Sequence, residues 1–270
     1  IISPLKIAEL YVNSNKASGG KVIPILQLHN YSITNAVNTL TINKTILNNI
    51  LDLLNASGYT SITDVDYYNY TLGRIDLPNK PIIIVWDDAY LGVLDANTEM
   101  LKYNYKGVIA IPTNWVGIHP DSLNWSNISM LYNTYGWGVI SHSVEHCNFL
   151  TECNFTSNWT AELNNSKNSI TGNLSFTPIS FIYPQNSYNI TAMSYCDDYY
   201  SMCFGNQSIA ERPRQTSYNF KNTNLTNGAL KRISINNNSV INDFQLILNS
   251  SYNFQHNVLT LKLNENNGTI

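Results

Sequence analysis

Residues 80–90 read Lys-Pro-Ile-Ile-Ile-Val-Trp-Asp-Asp-Ala-Tyr. The β-branched run from Ile82 to Val85 has the composition of a strand buried on both faces of a parallel sheet, and it stops at two adjacent carboxylates, Asp87 and Asp88. Acids do not extend such a strand for packing reasons. In α/β folds the carboxyl ends of parallel strands open onto the ligand site, so a paired acid at that point is a functional candidate. The plainer alternative is that one Asp caps the next helix while the other is solvated.

Outward from this strand the chain alternates. Strands are expected at residues 21–28, 82–86, 107–111, 137–141, 179–183, 230–235 and 258–263. Helical spacing or stop signals mark 41–58, 61–73, 94–104, 124–135, 159–170, 190–195 and 240–248. Strands alternate with helices along the chain, the pattern of a βα barrel or a doubly wound sheet. The expectation is an α/β fold, a distorted (β/α) barrel of seven to eight strands formed by one domain over residues 21–270. Residues 1–20 are weakly patterned and end in Ser18-Gly19-Gly20, as a linker or extension would. No Gly-rich phosphate loop follows any strand, which leaves nucleotide chemistry without a foothold.

The 270 residues carry 15 Lys and Arg against 18 acids, a net charge of -3, with no basic block. This argues against nucleic acid as a partner and gives no electrostatic reason to bind a membrane surface. No apolar run approaches the roughly 20 residues of a spanning helix, so no direct membrane insertion is expected from this segment. The chain begins at Ile1 rather than Met, as a processed protein or a piece of a longer one would.

Asn is abundant and charge is sparse. Roughly fifteen positions fit the Asn-x-Ser/Thr glycosylation pattern, among them Asn43, Asn55, Asn69, Asn124, Asn127, Asn154, Asn158, Asn164, Asn173, Asn189, Asn206, Asn224, Asn237, Asn249 and Asn267. An Asn-rich chain produces some by chance, but so many point to a secreted or surface-exposed, extracellular protein. The cysteines agree with that compartment. Four allow three pairings, and the local one, Cys147 with Cys153 and Cys196 with Cys203, is expected. A four-Cys zinc site competes, although the spacings are wider than usual for such ligands.

A second constellation lies at residues 137–146, Trp-Gly-Val-Ile-Ser-His-Ser-Val-Glu-His. His142 and His146 follow a strand end four residues apart, and one helical turn would put both imidazoles on one face. Two surface histidines on a solvated turn are the alternative. Joined by an Asp from another strand end, two His make a three-ligand site with room for water, as in catalytic metal centres. A neighbouring carboxylate can then act as base. His29, directly after the strand 21–28, repeats the placement of the acid pair, though an isolated His there is more often an ordinary loop residue.

These residues carry a resemblance. Trp-Asp-Asp-Ala-Tyr at 86–90 resembles the Phe-Asp-Asp-Gly-Tyr motif of the polysaccharide deacetylases, carbohydrate esterase family 4, whose domain is the NodB homology domain. Residues 141–146 resemble that family's Ser-His-Ser/Thr-x-x-His motif. Phe-Ile-Tyr-Pro-Gln-Asn at 181–186 is similar to the Phe-x-Tyr-Pro-x-Gly segment of the branch acting on poly-N-acetylglucosamine, which also has an early strand ending in His, like His29. The resemblance spans roughly residues 22–235. It implies that Asp88, His142 and His146 hold a divalent metal, in most such enzymes zinc, and that Asp87 is the general base. It further implies that the backbone N–H of Gln185, after Pro184, helps bind the oxyanion and that His29 protonates the departing amine. The implied substrate is an N-acetylated sugar of a glycan or polysaccharide.

The departures are specific. Ala89 stands where the motif has Gly, so the backbone there must avoid positive φ or tolerate strain. Asn186 replaces another Gly, a milder change. The Arg that orients the catalytic Asp in many members has no counterpart at Ile182; Arg232 is the candidate to replace it, the alternative being a surface residue at a strand edge. On the substrate side the candidates are Trp86, Tyr90, Tyr183, Pro184 and Arg232, with Trp115 as a further ring able to stack on a sugar; taken alone, each aromatic is more often a core residue. A rival of another class is a glycan-binding adhesin or receptor module of a larger surface or multi-subunit assembly that keeps the fold without turnover. A two-His-one-carboxylate iron oxygenase uses the same ligand types but would leave Asp87 without a role.

Overall fold

The computed structural model describes residues 23–34, 38–153, 156–205, 218–219 and 232–236. The strands are β1 (Ile23–Leu28), β2 (Asn30–Ser32), β3 (Thr41–Asn43), β4 (Thr60–Ser61), β5 (Pro81–Trp86), β6 (Val108–Ile111), β7 (Gly138–Ser141), β8 (Ser180–Ile182), β9 (Met202–Phe204), β10 (Tyr218–Asn219) and β11 (Ile233–Ser234). The helices are α1 (Lys44–Ala56), α2 (Asp64–Thr71), α3 (Val93–Leu101), α4 (Trp125–Tyr135), α5 (Thr156–Leu174) and α6 (Ile190–Tyr199).

Seven parallel strands run in the order β11-β1-β5-β6-β7-β8-β9 and curl into a half-barrel wrapped by the helices. Strand β10 adds to β1 antiparallel, and β4 lies alongside β5. The short pair β2-β3 stands apart as its own parallel ladder.

The central strand β5 owes its place to composition. All six of its residues are buried, and each Ile or Val side chain taken out of water contributes about 1.5–3 kcal/mol. Side chains alternate across the sheet. Ile82, Ile84 and Trp86 join Leu26, Leu28, Ile109 and Val139 in the layer shared with α1, α3 and α4. Ile83 and Val85 join Ile23, Ile25, Val108, Ala110 and Ile140 on the other face. A third cluster gathers Phe149, Trp159, Phe181, Tyr183 and Tyr200 around both disulfides.

The helix ends follow local chemistry. Asn43 caps α1 by accepting the Ile46 N–H, Thr63 and Asp66 form a reciprocal capping box on α2, and Asn124 and Asn127 do the same on α4. Gly136 ends α4 in the left-handed region at φ 68°, as a C-terminal Gly does.

Several expectations are corrected. The first three residues of the expected helix 41–58 are strand β3, because Asn43 turns the chain into the cap rather than starting a helical turn upstream. Helix α5 runs longer at both ends than the expected 159–170. The last helix and strand expected at 240–248 and 258–263 lie outside the described residues, as does the expected N-terminal extension 1–20.

The disulfides pair locally, Cys147 with Cys153 and Cys196 with Cys203, so these thiols do not form a four-Cys zinc site. Nine of the named sequon asparagines fall in described segments, at 43, 55, 69, 124, 127, 158, 164, 173 and 189, and none is buried. Those at 154, 206, 224, 237, 249 and 267 lie outside the described residues. No described helix is long and apolar enough to cross a membrane.

Candidate metal centre

The site lies at the carboxyl ends of β1, β5, β7 and β8. Asp87 extends the pairing of β5 with β1 by donating its N–H to Leu28 O at 2.8 Å. The chain then breaks away: Asp88 and Ala89 take φ of 71° and 52°. Ala89 therefore accepts the strained conformation that a Gly would relieve, and the turn is pinned where Leu123 N–H donates to Ala89 O at 2.8 Å. Of eight non-Gly residues with positive φ among the described residues, six sit on the turns of this site: Asp88, Ala89, Ser143, His146, Gln185 and Asn186. Such conformations cost on the order of 1–3 kcal/mol each, and their concentration here marks a geometry the surrounding fold enforces.

One ligand-type oxygen or nitrogen from each of Asp88, His142 and His146 lies within 4.8 Å of the others. His142 Nε2 is 3.4 Å and His146 Nε2 3.1 Å from Asp88 Oδ1. The route to this convergence differs from the expectation of a helical turn. Residues 142–146 are irregular, with Ser143 and His146 at φ of 69° and 57°, and the rings meet edge to face with centroids 4.8 Å apart.

The tautomer follows from a neighbour. His142 Nδ1 is 2.8 Å from Ile182 O, and a carbonyl only accepts, so Nδ1 carries the proton and neutral His142 presents a lone pair at Nε2. Two acceptors facing each other at this range repel unless a cation or proton stands between them. Asp88 Oδ1 is itself buried without a directed hydrogen bond, a cost that a metal ion would remove. Burial pushes the Asp88 carboxyl up; where the two imidazoles carry the proton that stands in for a cation between them and the carboxylate, they outweigh burial and hold the group below the usual carboxylate range. The donor set, one carboxylate and two imidazoles on a partly open surface, fits a divalent ion such as zinc.

Asp87 is bound differently. Both of its oxygens are 2.8 Å from Arg232 Nη1, and Oδ2 also accepts from Gln27 Nε2 at 2.8 Å. Burial would raise this carboxyl, but Arg232 foremost, then His142 and His29, hold it below its ordinary range. His29 Nε2 stands 3.9 Å from Asp87 Oδ2. Burial lowers the His29 pKa, with Asp87 and Asp88 opposing only in part, and its Nδ1 is buried without a partner.

Gln185 occupies the left-handed region at φ 52°. The turn around it is closed by the N–H groups of Asn186 and Ser187, donating to Tyr183 O and Pro184 O, so the Gln185 N–H is outside the turn's own hydrogen bonds. Its side chain donates to His146 O at 3.3 Å, which sets the turn beside the ligand.

The substrate-side expectations need correction. Trp86 and Tyr183 are 0 % exposed and Arg232 is 1 % exposed; Pro184 is buried too. Trp86 points into the helix-side core, Tyr183 into the disulfide-lined aromatic cluster, and Arg232 is committed to Asp87, so none presents a face to a sugar. Tyr90 remains half-exposed. Trp115 is half-exposed as well, stacked on His119 with centroids 5.1 Å apart and tilted against His146 at 4.9 Å.

Two residues that sequence reasoning missed belong to the site's support. Gln27 left a signal, a polar side chain within a strand whose six residues are all buried. Glu162 left none; it accepts the Val144 and Glu145 N–H groups from an ordinary-looking helix.

No protein-family model and no curated relative matches the sequence. Solved structures do match. A polysaccharide deacetylase from Bacillus cereus superposes with a TM-score of 0.71 at 17% identity, over 85% of this chain and 69% of the other. A Streptococcus pyogenes deacetylase in complex with acetate gives a TM-score of 0.71 at 18% identity, over 85% of this chain and 99% of the other. A de-N-acetylase from Aggregatibacter actinomycetemcomitans gives 0.69 at 14% identity, over 84% of this chain and all of its own.

Proposed function

From a chain with the polysaccharide deacetylase fold, we propose a metal-dependent hydrolase that removes acetyl groups from N-acetylated sugars of an extracellular polysaccharide or surface glycan. The observation that carries this reading is the division of labour between adjacent acids. Asp88 faces two imidazoles while Asp87, next in the chain, faces a guanidinium. An acid that served only to bind metal, or only to pack, would need no differently tuned neighbour.

Asp88, His142 and His146 would hold the ion. When bound, a divalent ion polarises an amide carbonyl and brings the pKa of a coordinated water toward neutrality. The protein's own groups do the rest. Asp87, kept ionised by Arg232 and oriented by Gln27, is the acceptor for the attacking water's proton. Its two oxygens are fixed by three contacts at 2.8 Å, so it meets that proton in one geometry.

The Gln185 N–H is the donor for the developing oxyanion, and such a donor typically contributes a few kcal/mol. The sugar nitrogen then needs a proton before it can leave. His29, neutral at rest because burial lowers its pKa, takes up that proton within reach of Asp87 and delivers it to the amine. Acetate and a free amino sugar are the products. Tyr90 and Trp115, the half-exposed rings beside the centre, supply apolar faces for a pyranose.

The test is acetate release from N-acetylchitooligosaccharides by the metal-loaded chain. Turnover supports the reading. Saturable glycan binding without acetate release would replace it with a glycan-recognition module on the same fold.

A further inference from the structure

The turn carrying His142 and His146 has no helical hydrogen bonds; His146 N–H donates to Ser143 Oγ at 3.0 Å within it, and the rest of its shape is imposed from outside. On one side its carbonyls are taken: Thr113 N–H donates to Ser143 O at 3.1 Å and Asn114 N–H to Val144 O at 3.0 Å. On the other side its N–H groups converge. Those of Val144 and Glu145 both donate to Oε2 of Glu162, at 2.8 and 3.0 Å. Glu162 sits on α5 and is 8 % exposed. Among the described residues no Lys, Arg or His pairs with its carboxylate, so these two peptide groups are what compensates its burial.

Both gripped peptides lie between the two imidazoles. A ligand pair spanning Asp88 from a turn with two left-handed residues has many nearby conformations, most with the rings farther apart. The carboxylate selects one of them. We propose that Glu162 is a positioning residue for the metal-binding turn: by holding the Val144 and Glu145 N–H groups it sets the separation and tilt of His142 and His146 around Asp88. This rests on the reading of those three residues as metal ligands.

The test uses the full chain stripped of metal, with Co²⁺ titrated by visible absorption, Zn²⁺ by competition, and amide hydrogen exchange recorded before metal is added. Glu162→Gln keeps an oxygen able to accept both N–H groups, and its affinity should stay within about threefold of the parent. Glu162→Leu should bind about 10–100-fold more weakly, the usual effect of losing a group that orients ligands. Its Val144 and Glu145 amides should exchange faster in the metal-free protein. A residue with a merely structural role would lower the urea midpoint and leave the metal affinity alone.

Parent-like affinity in Glu162→Leu overturns the proposal. Should that variant fail to fold, Glu162→Asp, one methylene too short to reach both peptides, takes its place with the same expected loss and the same overturning result. A parent chain that takes up neither Co²⁺ nor Zn²⁺ sinks the metal reading and this proposal with it. Equal binding by parent and variants sinks this proposal alone.

Discussion

Arg232 Nη1 lies 2.8 Å from both carboxylate oxygens of Asp87, two residues 145 positions apart in the chain, each about 1 % exposed. A buried pair of this kind is strongly coupled, and removing one member leaves the other charged and unpaired. Arg232→Met is therefore expected to lose about 3–5 kcal/mol of stability, read as a drop in the urea midpoint. Adding Asp87→Asn should recover part of that loss, because the stranded charge disappears. Additive losses in the double variant would show that the two side chains are not coupled.

The same pair sets the pH response of the base. The Asp87 pKa is depressed in the native state, so its stabilising contribution is present above the unfolded carboxylate range and is lost as pH falls through the depressed value. In Arg232→Met the acid limb of the rate profile should move to higher pH. An unmoved limb would assign that ionisation to another group.

Asp87→Asn retains the shape and the Gln27 contact but cannot accept a proton. Acetate release should fall by about 10²–10⁴-fold while Zn²⁺ binding persists, because the three ligand groups are untouched. Normal turnover in this variant would remove Asp87 from the role of base.

Chelation should abolish acetate release, and Zn²⁺ or Co²⁺ should restore it. His146→Ala, which leaves two of the three converging groups, should not recover at the same metal concentration. Full activity in a chelator-treated, metal-analysed sample would exclude a required ion.

Asp64 makes a separate prediction, about stability alone. It opens α2 at the end of the sheet remote from the metal ligands, where Oδ2 accepts from Ser180 Oγ at 2.6 Å and Oδ1 is buried without a partner. Burial pushes its pKa up to about 6 from 3.8. The native state thus holds this proton more tightly than the unfolded chain, and stability falls as pH rises from about 4 to about 6, then levels off. The loss amounts to about 3 kcal/mol. Asp64→Asn should match the parent at pH 4 and exceed it by up to that amount above pH 7 in urea denaturation. A constant difference across that range would mean Asp64 is not the titrating group.

How much of this was legible in the chain varies with the kind of signal. Runs such as Ile82–Val85 announced the buried strands because burial on both faces leaves no room for polar alternation. The acids after β5 and the histidines after β7 stood out because a parallel sheet delivers every strand end to one rim. Strand β9, three residues after a Tyr-rich helix end, was too short to register. The turns were not legible either: positive φ at Asp88, Ala89, Ser143 and Gln185 leaves no compositional mark when no Gly is present, so a helical turn was expected where the chain is irregular. Aromatic residues at strand ends misled, since nothing local tells Trp86 or Tyr183 which way to face. Glu162 left no mark in the sequence because its partners are peptide groups, which look the same in every chain.

The placement of Arg232 has a bearing on biosynthesis. A ribosome emits residues in order, so Asp88, His142 and His146 have all emerged by residue 146, ahead of the Glu162 and Ile182 contacts to the histidine turn and of the guanidinium beside Asp87. A nascent chain at that stage lacks the groups that hold the two imidazoles in place and the guanidinium that offsets the burial of Asp87. On the proposed reading, the site is complete only when the segment bearing Arg232 has docked along the edge of β1, which makes that late docking the step that arms the protein.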